Sequence, residues 1–360
     1  MKIALLNLKY DNNYGGNLQR YALMKVLQDM GHDVTHLNLR FNYHRPWYKL
    51  LLSLLKIIVK KYFLGKDVII PQWQQAQHTY EDLCSITEPF YKKYVKHTEQ
   101  ITDLRKLSEF NEFDAYVVGS DQVWRKRIAG GYIKTMFLDF LPENTKSKRI
   151  AYGVSLGVAE NELCNEEIKQ LSDLYQRFDA VSVREDSALD MFKQYGWNKP
   201  QAIQVLDPTL LLCKEDYMKL IENGKTTQSD GNLFCYILDK THEKCTLISE
   251  KAEVLHLKPF EVGLNKPVSI EQWLRSFSDS EYVITDSYHG LVFSIIFNKP
   301  FFLIRNEFRG NARFDSVIRM FGIQDDCSDN LNWNLVNKII ADNRKKSFRF
   351  LANALNIQDN

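Results

Sequence analysis

The chain has 360 residues, of which 44% are hydrophobic and 26% are charged, which is ordinary for a soluble globular protein with one or two cores. Its formal net charge of +2 gives no global electrostatic reason to expect a nucleic-acid partner. The six cysteines are scattered, without a Cys-x-x-Cys pair, so we expect neither a disulfide framework nor a zinc site. This pattern is typical of a protein of the reducing cytoplasm. No segment has the roughly 20 consecutive apolar residues of a membrane span.

The first residues predict a strand, a polar turn, a helix and a second strand. Residues 2–8 form an apolar run, too short for a signal peptide and typical of a buried parallel strand. Apolar residues then recur at helical spacing until Gly31, which suits the end of a helix, and residues 34–39 read as the next strand. This order is that of a βαβ unit.

The rest of the chain continues the alternation after one interruption. Residues from about 41 to 110 read as a helical insertion rich in aromatic and basic side chains. Further strands are predicted at 113–119, 149–154, 180–183, 203–206, 232–238, 253–257, 282–285 and 301–304. We therefore predict an α/β fold of two Rossmann-like, doubly wound domains that face a cleft. Their bounds are 1–213 and 214–334, and a helix in 335–360 packs back toward the first domain.

Ligands of doubly wound sheets bind at the carboxyl ends of strands, and polar clusters follow four predicted strands here. The first cluster follows strand one and comprises Asn13, Tyr14, Gly15, Gly16 and Asn17. Its glycines let backbone approach a ligand, and the helix that follows offers N–H groups to an anion. The cluster lacks G-x-G-x-x-G, which argues against a nicotinamide or flavin site, and a plain turn is the alternative.

The second cluster contains Ser120, Asp121, Gln122 and Trp124. A hydroxyl, a carboxylate, an amide and an indole suit a sugar, which is bound by hydrogen bonds and stacking. The alternative is a helix start followed by an aromatic core residue.

The third cluster centres on Arg184, directly after the predicted strand 180–183. A guanidinium binds carboxylates and phosphates through two parallel hydrogen bonds, so Arg184 is a candidate anion ligand. The alternative is a structural ion pair with the neighbouring Glu185 or Asp186.

The fourth cluster runs from Asp286 through Ser287, Tyr288 and His289 to Gly290, between a predicted strand and an apolar helix. In that turn the imidazole can exchange protons near neutral pH while backbone N–H groups face an anion. A structural histidine is the alternative. A later loop carries three arginines, of which at least one is expected to face this turn: Arg305, Arg309 and Arg313.

Seven stretches together resemble the polysaccharide pyruvyl transferase family. They are YDNNYGGNLQRYAL, FDAYVVGSDQVW, RIAYGVSLG, AVSVRE, VLDPTLLL, YVITDSYHGLVFSIIFNKPFFLI and NARF, and they span nearly the whole chain. The resemblance implies a fold like that of GT-B glycosyltransferases, with no bound metal and no cofactor. It also implies phosphoenolpyruvate as the co-substrate and two hydroxyls of a glycan as the acceptor, giving a cyclic pyruvate ketal.

The resemblance carries over residue by residue. The arginine of the family that contacts phosphoenolpyruvate falls on Arg184, and the catalytic histidine falls on His289. Many members have an arginine two residues before that histidine, where this chain has Ser287. We expect Arg313 to replace it, with Arg305 and Arg309 as weaker candidates, and the donor site to include Ser287, Tyr288 and Gly290. The presence of Ser287 at this position is also consistent with a different donor or with a loss of activity.

Two separated arginines suit the carboxylate and phosphate ends of phosphoenolpyruvate. His289 would act as general acid toward the enol carbon or the departing phosphate. Asp121 or Asp286 would orient or deprotonate the sugar hydroxyls, and the sequence does not separate these roles.

Residues 46–65 predict an amphipathic helix with four polar residues, three of them lysines, along one face. Such a helix can lie peripherally in an anionic membrane interface at the cytoplasmic face, which would fit a polyprenyl-diphosphate-linked acceptor. An ordinary helix that covers the sheet is the alternative.

Three other functions compete with this interpretation. A nucleotide-sugar glycosyltransferase of the same fold would need a nucleotide site in the second half. A non-catalytic, glycan-binding relative would be consistent with Ser287. A nicotinamide dehydrogenase is disfavoured by the missing glycine fingerprint.

Overall fold

The computed structural model describes residues 1–43, 73–263, 266–306, 310–324, 326–329 and 331–356. The predicted amphipathic helix at 46–65 and Arg309 lie outside these residues. Among the described helices, none combines the length and the apolarity that crossing a membrane requires.

The first half is a parallel sheet of six strands in the order β2-β1-β3-β4-β5-β6. All four residues of β3 are buried, as expected for a strand covered by helices on both faces. The strands are β1 Lys2–Leu6, β2 Asp33–His36, β3 Ala115–Val118, β4 Lys148–Val154, β5 Ala180–Val183 and β6 Ile203–Gln204. The helices are α1 Tyr14–Asp29, α2 Trp73–Tyr94, α3 Lys126–Ala129, α4 Asn165–Tyr175 and α5 Asp186–Tyr195.

The second half is a smaller parallel sheet in the order β10-β9-β7-β8. Its strands are β7 Leu233–Tyr236, β8 Pro259–Phe260, β9 Tyr282–Thr285 and β10 Phe301–Leu303. Its helices are α6 Lys214–Glu222, α7 His242–Leu255, α8 Ile270–Asp279, α9 Tyr288–Ile296 and α10 Ala312–Phe321, and the chain continues into α11 Trp333–Leu355.

The predicted strand at 253–257 is wrong. These residues include the last turn of α7, and the strand of this region is β8, which begins at Pro259. Glu253 and Val254 follow a run of good helix formers, and the Val254 side chain is 75% exposed, so no buried strand position is available to it.

Both sheets reverse their strand order once, and this confirms the predicted class of two Rossmann-like halves facing a cleft. The reversal lies between β1 and β3 in the first sheet and between β7 and β9 in the second. Helix α11 contacts the first half, where Arg344 donates hydrogen bonds to the carbonyls of Leu210 and Leu212. The exact domain bounds stay a prediction.

Candidate active site

A cavity of about 480 Å³ lies where the two points of strand reversal face each other. In open α/β sheets this point is where ligands bind, because adjacent loops leave in opposite directions and open a crevice. From the first half, the predicted residues that line it are Asn13, Tyr14, Gly15, Asp121 and Gln122. From the second half they are Ser287, Tyr288, His289 and Arg313.

The loop after β1 is held in shape by its own side chains. Asn13 caps α1, since its side chain accepts a hydrogen bond from the backbone of Gly16. Asn17 is buried and donates to the carbonyls of Asp11 and Asn13. Gly16 and Asn17 therefore shape the loop, and neither is on the cavity wall.

Tyr14 connects the two halves beside the cavity. Its hydroxyl donates to the carbonyl of Val268 at 2.9 Å and accepts from the backbone N–H of the same residue at 3.0 Å. Its ring stacks on Trp273, with ring centroids 5.4 Å apart. Tyr14 is thus held in place by the second half.

Gly15 contacts the imidazole of His289 across the cleft. A Cβ atom on Gly15 would lie 2.0 Å from His289 Nδ1, which no side chain can accommodate. A Cβ on the neighbouring Gly16 would meet nothing closer than 3.7 Å. Of the two glycines, therefore, only Gly15 is required for the close approach to His289.

The loop after β3 brings Asp121 and Gln122 to the cavity, and Ser120 lies behind them. Ser120 is buried, and its hydroxyl donates to the carbonyl of Gly153. Asp121 has a φ of 86°, in the left-handed region that aspartate tolerates better than most residues. Burial raises the pKa of Asp121, but Arg184 and Arg313 lower it more, so the carboxylate is charged.

Trp124, predicted as a sugar-stacking residue, is a core residue instead. Its side chain is 1% exposed and stacks on Phe137 at a centroid distance of 4.3 Å. Its indole N–H donates to the carbonyl of Met136 at 2.8 Å. The indole therefore belongs to the hydrophobic core of the first half, where it also contacts Tyr175 and Phe178.

Arg184 is buried behind the cavity wall. Its Nη1 donates to Asp207 Oδ2 at 2.8 Å, and Nη2 lies 3.6 Å from Asp121. Its guanidinium is 4.4 Å from the centroid of the Tyr288 ring. Burial acts against the charged form, but Tyr288, Asp207 and Asp121 outweigh it, so the pKa of Arg184 is raised.

Arg313, in the first turn of α10, lies on the cavity wall. Its guanidinium is 5.3 Å from the Tyr288 ring, the ring that Arg184 also approaches. Burial, followed by the charge of Arg184, lowers the pKa of Arg313 to about 10, which leaves it cationic at neutral pH. Arg305 instead bonds to Asp315 and Asp326 and is absent from the wall.

His289 lies in the first turn of α9, which Ser287 caps by accepting a hydrogen bond from Gly290. Gly290 itself is required because a Cβ there would lie 2.0 Å from Thr285 Oγ1. Burial lowers the pKa of His289 to about 4, although the carboxylates of Asp207 and Asp121 oppose the shift. The imidazole of the ligand-free protein is therefore neutral at pH 7.

Asp286, a predicted partner of the sugar hydroxyls, is fully buried and is not on the cavity wall. It accepts hydrogen bonds from the backbone of Leu238 and Asp239 and from the side chains of Lys244 and Asn306. These bonds connect the end of β9 to the loop after β7, to α7 and to the segment after β10. The prediction that Asp286 contacts the substrate is therefore wrong, because its side chain is buried and lies outside the cavity wall.

Asp207 is the main residue that the sequence analysis missed. It follows β6, is 1% exposed, and lies 3.9 Å from His289 Nε2. Its place in VLDP, directly after a short strand, was a usable signal. The wall also includes Arg125, directly after the second polar cluster, and Asp239, in the loop after β7. Among the described residues, no group of three histidine, cysteine, aspartate or glutamate side chains could hold a metal ion.

Comparison with known proteins identifies the family. The chain matches no curated protein in sequence. Three solved structures have similar folds. The UDP-GlcNAc 2-epimerase of Methanocaldococcus jannaschii is 10% identical, with a TM-score of 0.47, over 95% of this chain and 92% of that one. The UDP-N-acetylglucosamine 2-epimerase of Rickettsia bellii is 8% identical, with a TM-score of 0.48, over 98% and 96%. An alpha-glucosyltransferase in complex with UDP is 10% identical, with a TM-score of 0.44, over 98% and 95%.

These three structural similarities carry no information about the activity of this chain. The sequence profile of the polysaccharide pyruvyl transferase family, in contrast, matches residues 13–307. This range contains the wall residues from Asn13 through the histidine turn of the second half, whereas Arg313 lies beyond it. The chain belongs to the polysaccharide pyruvyl transferase family.

Proposed function

We propose that the protein transfers the pyruvyl group of phosphoenolpyruvate to two hydroxyls of a glycan, forming a cyclic ketal and releasing phosphate. The observation that supports this most is the shared cavity wall of His289, Arg313 and the first turn of α9. A proton-exchanging group, a fixed cation and free helix N–H groups are what a small phosphorylated acid requires.

Phosphoenolpyruvate carries its carboxylate and phosphate at opposite ends. In the proposal Arg313 and the N-terminus of α9 bind one end of it directly. Arg184 contributes its charge from behind Tyr288, because its guanidinium is already bonded to Asp207. Arg313 thereby takes the place of the arginine that many members have where this chain has Ser287.

His289 is neutral before the donor binds, and a bound trianion beside it raises its pKa. On donor binding the imidazole therefore takes up a proton from solvent and becomes the acid. The imidazolium protonates the methylene carbon of the enol, and the first hydroxyl adds to the neighbouring carbon and returns its proton to the imidazole. Phosphate then leaves with the electrons of its C–O bond, the second hydroxyl adds, and its proton ends on the phosphate.

The glycan acceptor is assigned to the first-half wall, opposite His289. Asn13, Gln122 and Asp121 offer amide and carboxylate groups there, which suit sugar hydroxyls. The charged carboxylate of Asp121 can accept a hydrogen bond from the attacking hydroxyl and so orient it. Trp124 and Asp286 have no part in this assignment, since both are buried outside the cavity.

A lipid-linked acceptor is also part of the proposal. A second cavity of about 660 Å³ adjoins the first, and Arg127 lines both. Its wall includes the apolar side chains of Ile133, Leu163 and Leu171 and the cation of Lys134. A polyprenyl chain fits the apolar part, and the diphosphate that joins it to the sugar fits the cations between the cavities.

The proposal includes a cytoplasmic location, where phosphoenolpyruvate is available, and a peripheral membrane contact through residues 46–65. Co-sedimentation with anionic and neutral vesicles tests the contact. Binding to the anionic vesicles that is lost when residues 49, 56 and 60 are changed from lysine to glutamate supports it. Equal amounts of protein in the supernatant with and without vesicles would rule it out.

The transferase proposal is tested by incubation with phosphoenolpyruvate and a panel of free and lipid-linked oligosaccharides. The expected result is phosphate release together with an acceptor mass gain equal to one pyruvyl ketal, both absent in His289→Gln. Transfer from a nucleoside-diphosphate sugar in its place would identify a glycosyltransferase. Glycan binding without phosphate release, equal in wild type and His289→Ala, would identify a non-catalytic binding protein.

A further inference from the structure

Asp207 is a buried carboxylate whose two oxygens face different partners. Oδ1 accepts hydrogen bonds from the backbone and the hydroxyl of Thr209. Oδ2 accepts from Gln19 at 2.6 Å and from Arg184 at 2.8 Å. Burial raises the pKa of Asp207, but Arg184 and His289 lower it more, so the group is ionised at neutral pH. A fixed negative charge therefore lies at the base of the cleft.

The same oxygen, Oδ2, lies 3.9 Å from Nε2 of His289, which belongs to the other half. That nitrogen is buried, and no atom of the described residues hydrogen-bonds to it. The other ring nitrogen, Nδ1, is on the edge that contacts Gly15 at the cavity wall. The two nitrogens of this imidazole thus have distinct surroundings: Nε2 faces a carboxylate, and Nδ1 lies beside Gly15 of the cavity wall.

A neutral imidazole has one N–H and one lone pair, and a neighbouring carboxylate favours the N–H on its own side. We propose that Asp207 is a positioning residue that keeps the proton of neutral His289 on Nε2, so that Nδ1 is the nitrogen that exchanges a proton with the substrate. The inference rests on the proposed function for its catalytic consequence, whereas the tautomer itself does not depend on it.

The other charged groups near the imidazole give no reason to place the proton of neutral His289 on Nδ1. Arg184 and Arg313 both disfavour a protonated ring, and Asp121 favours one, so these groups affect whether the ring is charged. Among the described residues, Asp207 provides the carboxylate that lies within 4.0 Å of a ring nitrogen of His289.

The direct test is a nitrogen NMR spectrum of the protein labelled with 15N-histidine, with the signals of His289 identified by their loss in His289→Gln. The eight histidines make this tractable. At pH 7 the expected spectrum shows Nε2 bearing the proton and Nδ1 with its lone pair. A spectrum in which Nδ1 bears the proton overturns the proposal, whether or not any transfer activity has been found.

Asp207→Asn tests the consequence. The expected result is a shift of the His289 proton toward Nδ1 and a fall in kcat of about 100-fold, with a much smaller change in KM for phosphoenolpyruvate. Asp279→Asn is a matched control, since Asp279 is also a carboxylate paired to an arginine, Arg275, and lies outside the cavity wall. An unchanged tautomer and kcat in a folded Asp207→Asn variant contradict the proposal. If that variant does not fold, the spectrum of the wild type decides alone.

Discussion

The two walls of the cleft differ in where their charged groups find partners. On the side of the first half, Arg184 forms ion pairs with both Asp121 and Asp207. On the side of the second half, His289 has its nearest carboxylate across the cleft, and Tyr288 lies against an arginine of the first half. The charged side chains of the first wall are therefore preset by partners within their own half. The charge of His289 on the second wall depends instead on contact with the first half.

This difference assigns separate tasks to the two halves. The preset wall can orient an acceptor before any donor arrives, because its side chains already have fixed partners. The second wall holds the groups whose charge responds to a bound anion, above all the imidazole. Four substitutions test this division of tasks between the two halves.

The largest effect is expected from His289→Gln, which removes the proton-exchanging group of the second wall. We expect kcat for phosphate release to fall about 1,000-fold, because general acid–base catalysis contributes about 100- to 10,000-fold. The measurement is steady-state phosphate release at saturating donor. A variant with kcat within threefold of the wild type would remove His289 from the mechanism.

Gly15→Ala tests the close approach of the two walls. The added Cβ would lie 2.0 Å from His289 Nδ1 and must displace the imidazole or open the cleft. A misplacement of about 1 Å can reduce turnover about 100-fold, and we expect kcat/KM to fall by that order. Gly16→Ala is the control, since its Cβ has room, and its activity should match the wild type. Equal activity of both variants would show that the contact does not matter.

Arg313→Met sharpens the assignment of the donor cation. Loss of one charged hydrogen bond is worth about 1.5–3 kcal/mol, so we expect KM for phosphoenolpyruvate to rise about 30-fold. Adding Ser287→Arg should recover most of the loss, because it restores the cation at the position where many members have it. Arg305→Met, outside the wall, should leave KM unchanged. A rise of KM in Arg305→Met but not in Arg313→Met would reverse the assignment.

The smallest effect on the reaction is expected from Trp124→Phe, on the core side of the first wall. The lost hydrogen bond to Met136 and the poorer fit should lower the free energy of unfolding by about 1–3 kcal/mol. KM for the acceptor should not change. Chemical denaturation measures the free energy of unfolding, and acceptor kinetics measure KM. A raised KM with unaltered stability would show that the indole contacts the acceptor.

The parts of the site that the sequence predicted are those encoded locally. A buried strand followed by polar residues and a helix indicates a cavity wall, and the loops around Tyr14, Asp121 and His289 all follow this pattern. Parallel strands end at the same edge of a sheet, which is why separate motifs converge. The strand at 253–257 failed because a short apolar run suits a helix end equally well.

The parts that the sequence did not predict depend on tertiary contacts. Asp207 and His289 are far apart in the chain, and only the packing of the two halves brings them within 3.9 Å. Trp124 and Asp286 were assigned to the ligand because an indole or a carboxylate in a polar motif has the same sequence signature whether it faces a cavity or the interior. Burial separates the two cases, and burial is a property of the folded chain.

We propose that phosphoenolpyruvate binds beside His289 and raises the pKa of its imidazole. In the free protein this pKa is about 4, so the ring is neutral above pH 5, and a donor that raises the pKa must cause proton uptake. Calorimetric titration with phosphoenolpyruvate in buffers of different ionisation enthalpy measures that uptake directly. We predict uptake that is larger at pH 6 than at pH 8 and is lost in His289→Gln. Binding without proton uptake at either pH, or no binding at all, would contradict the account.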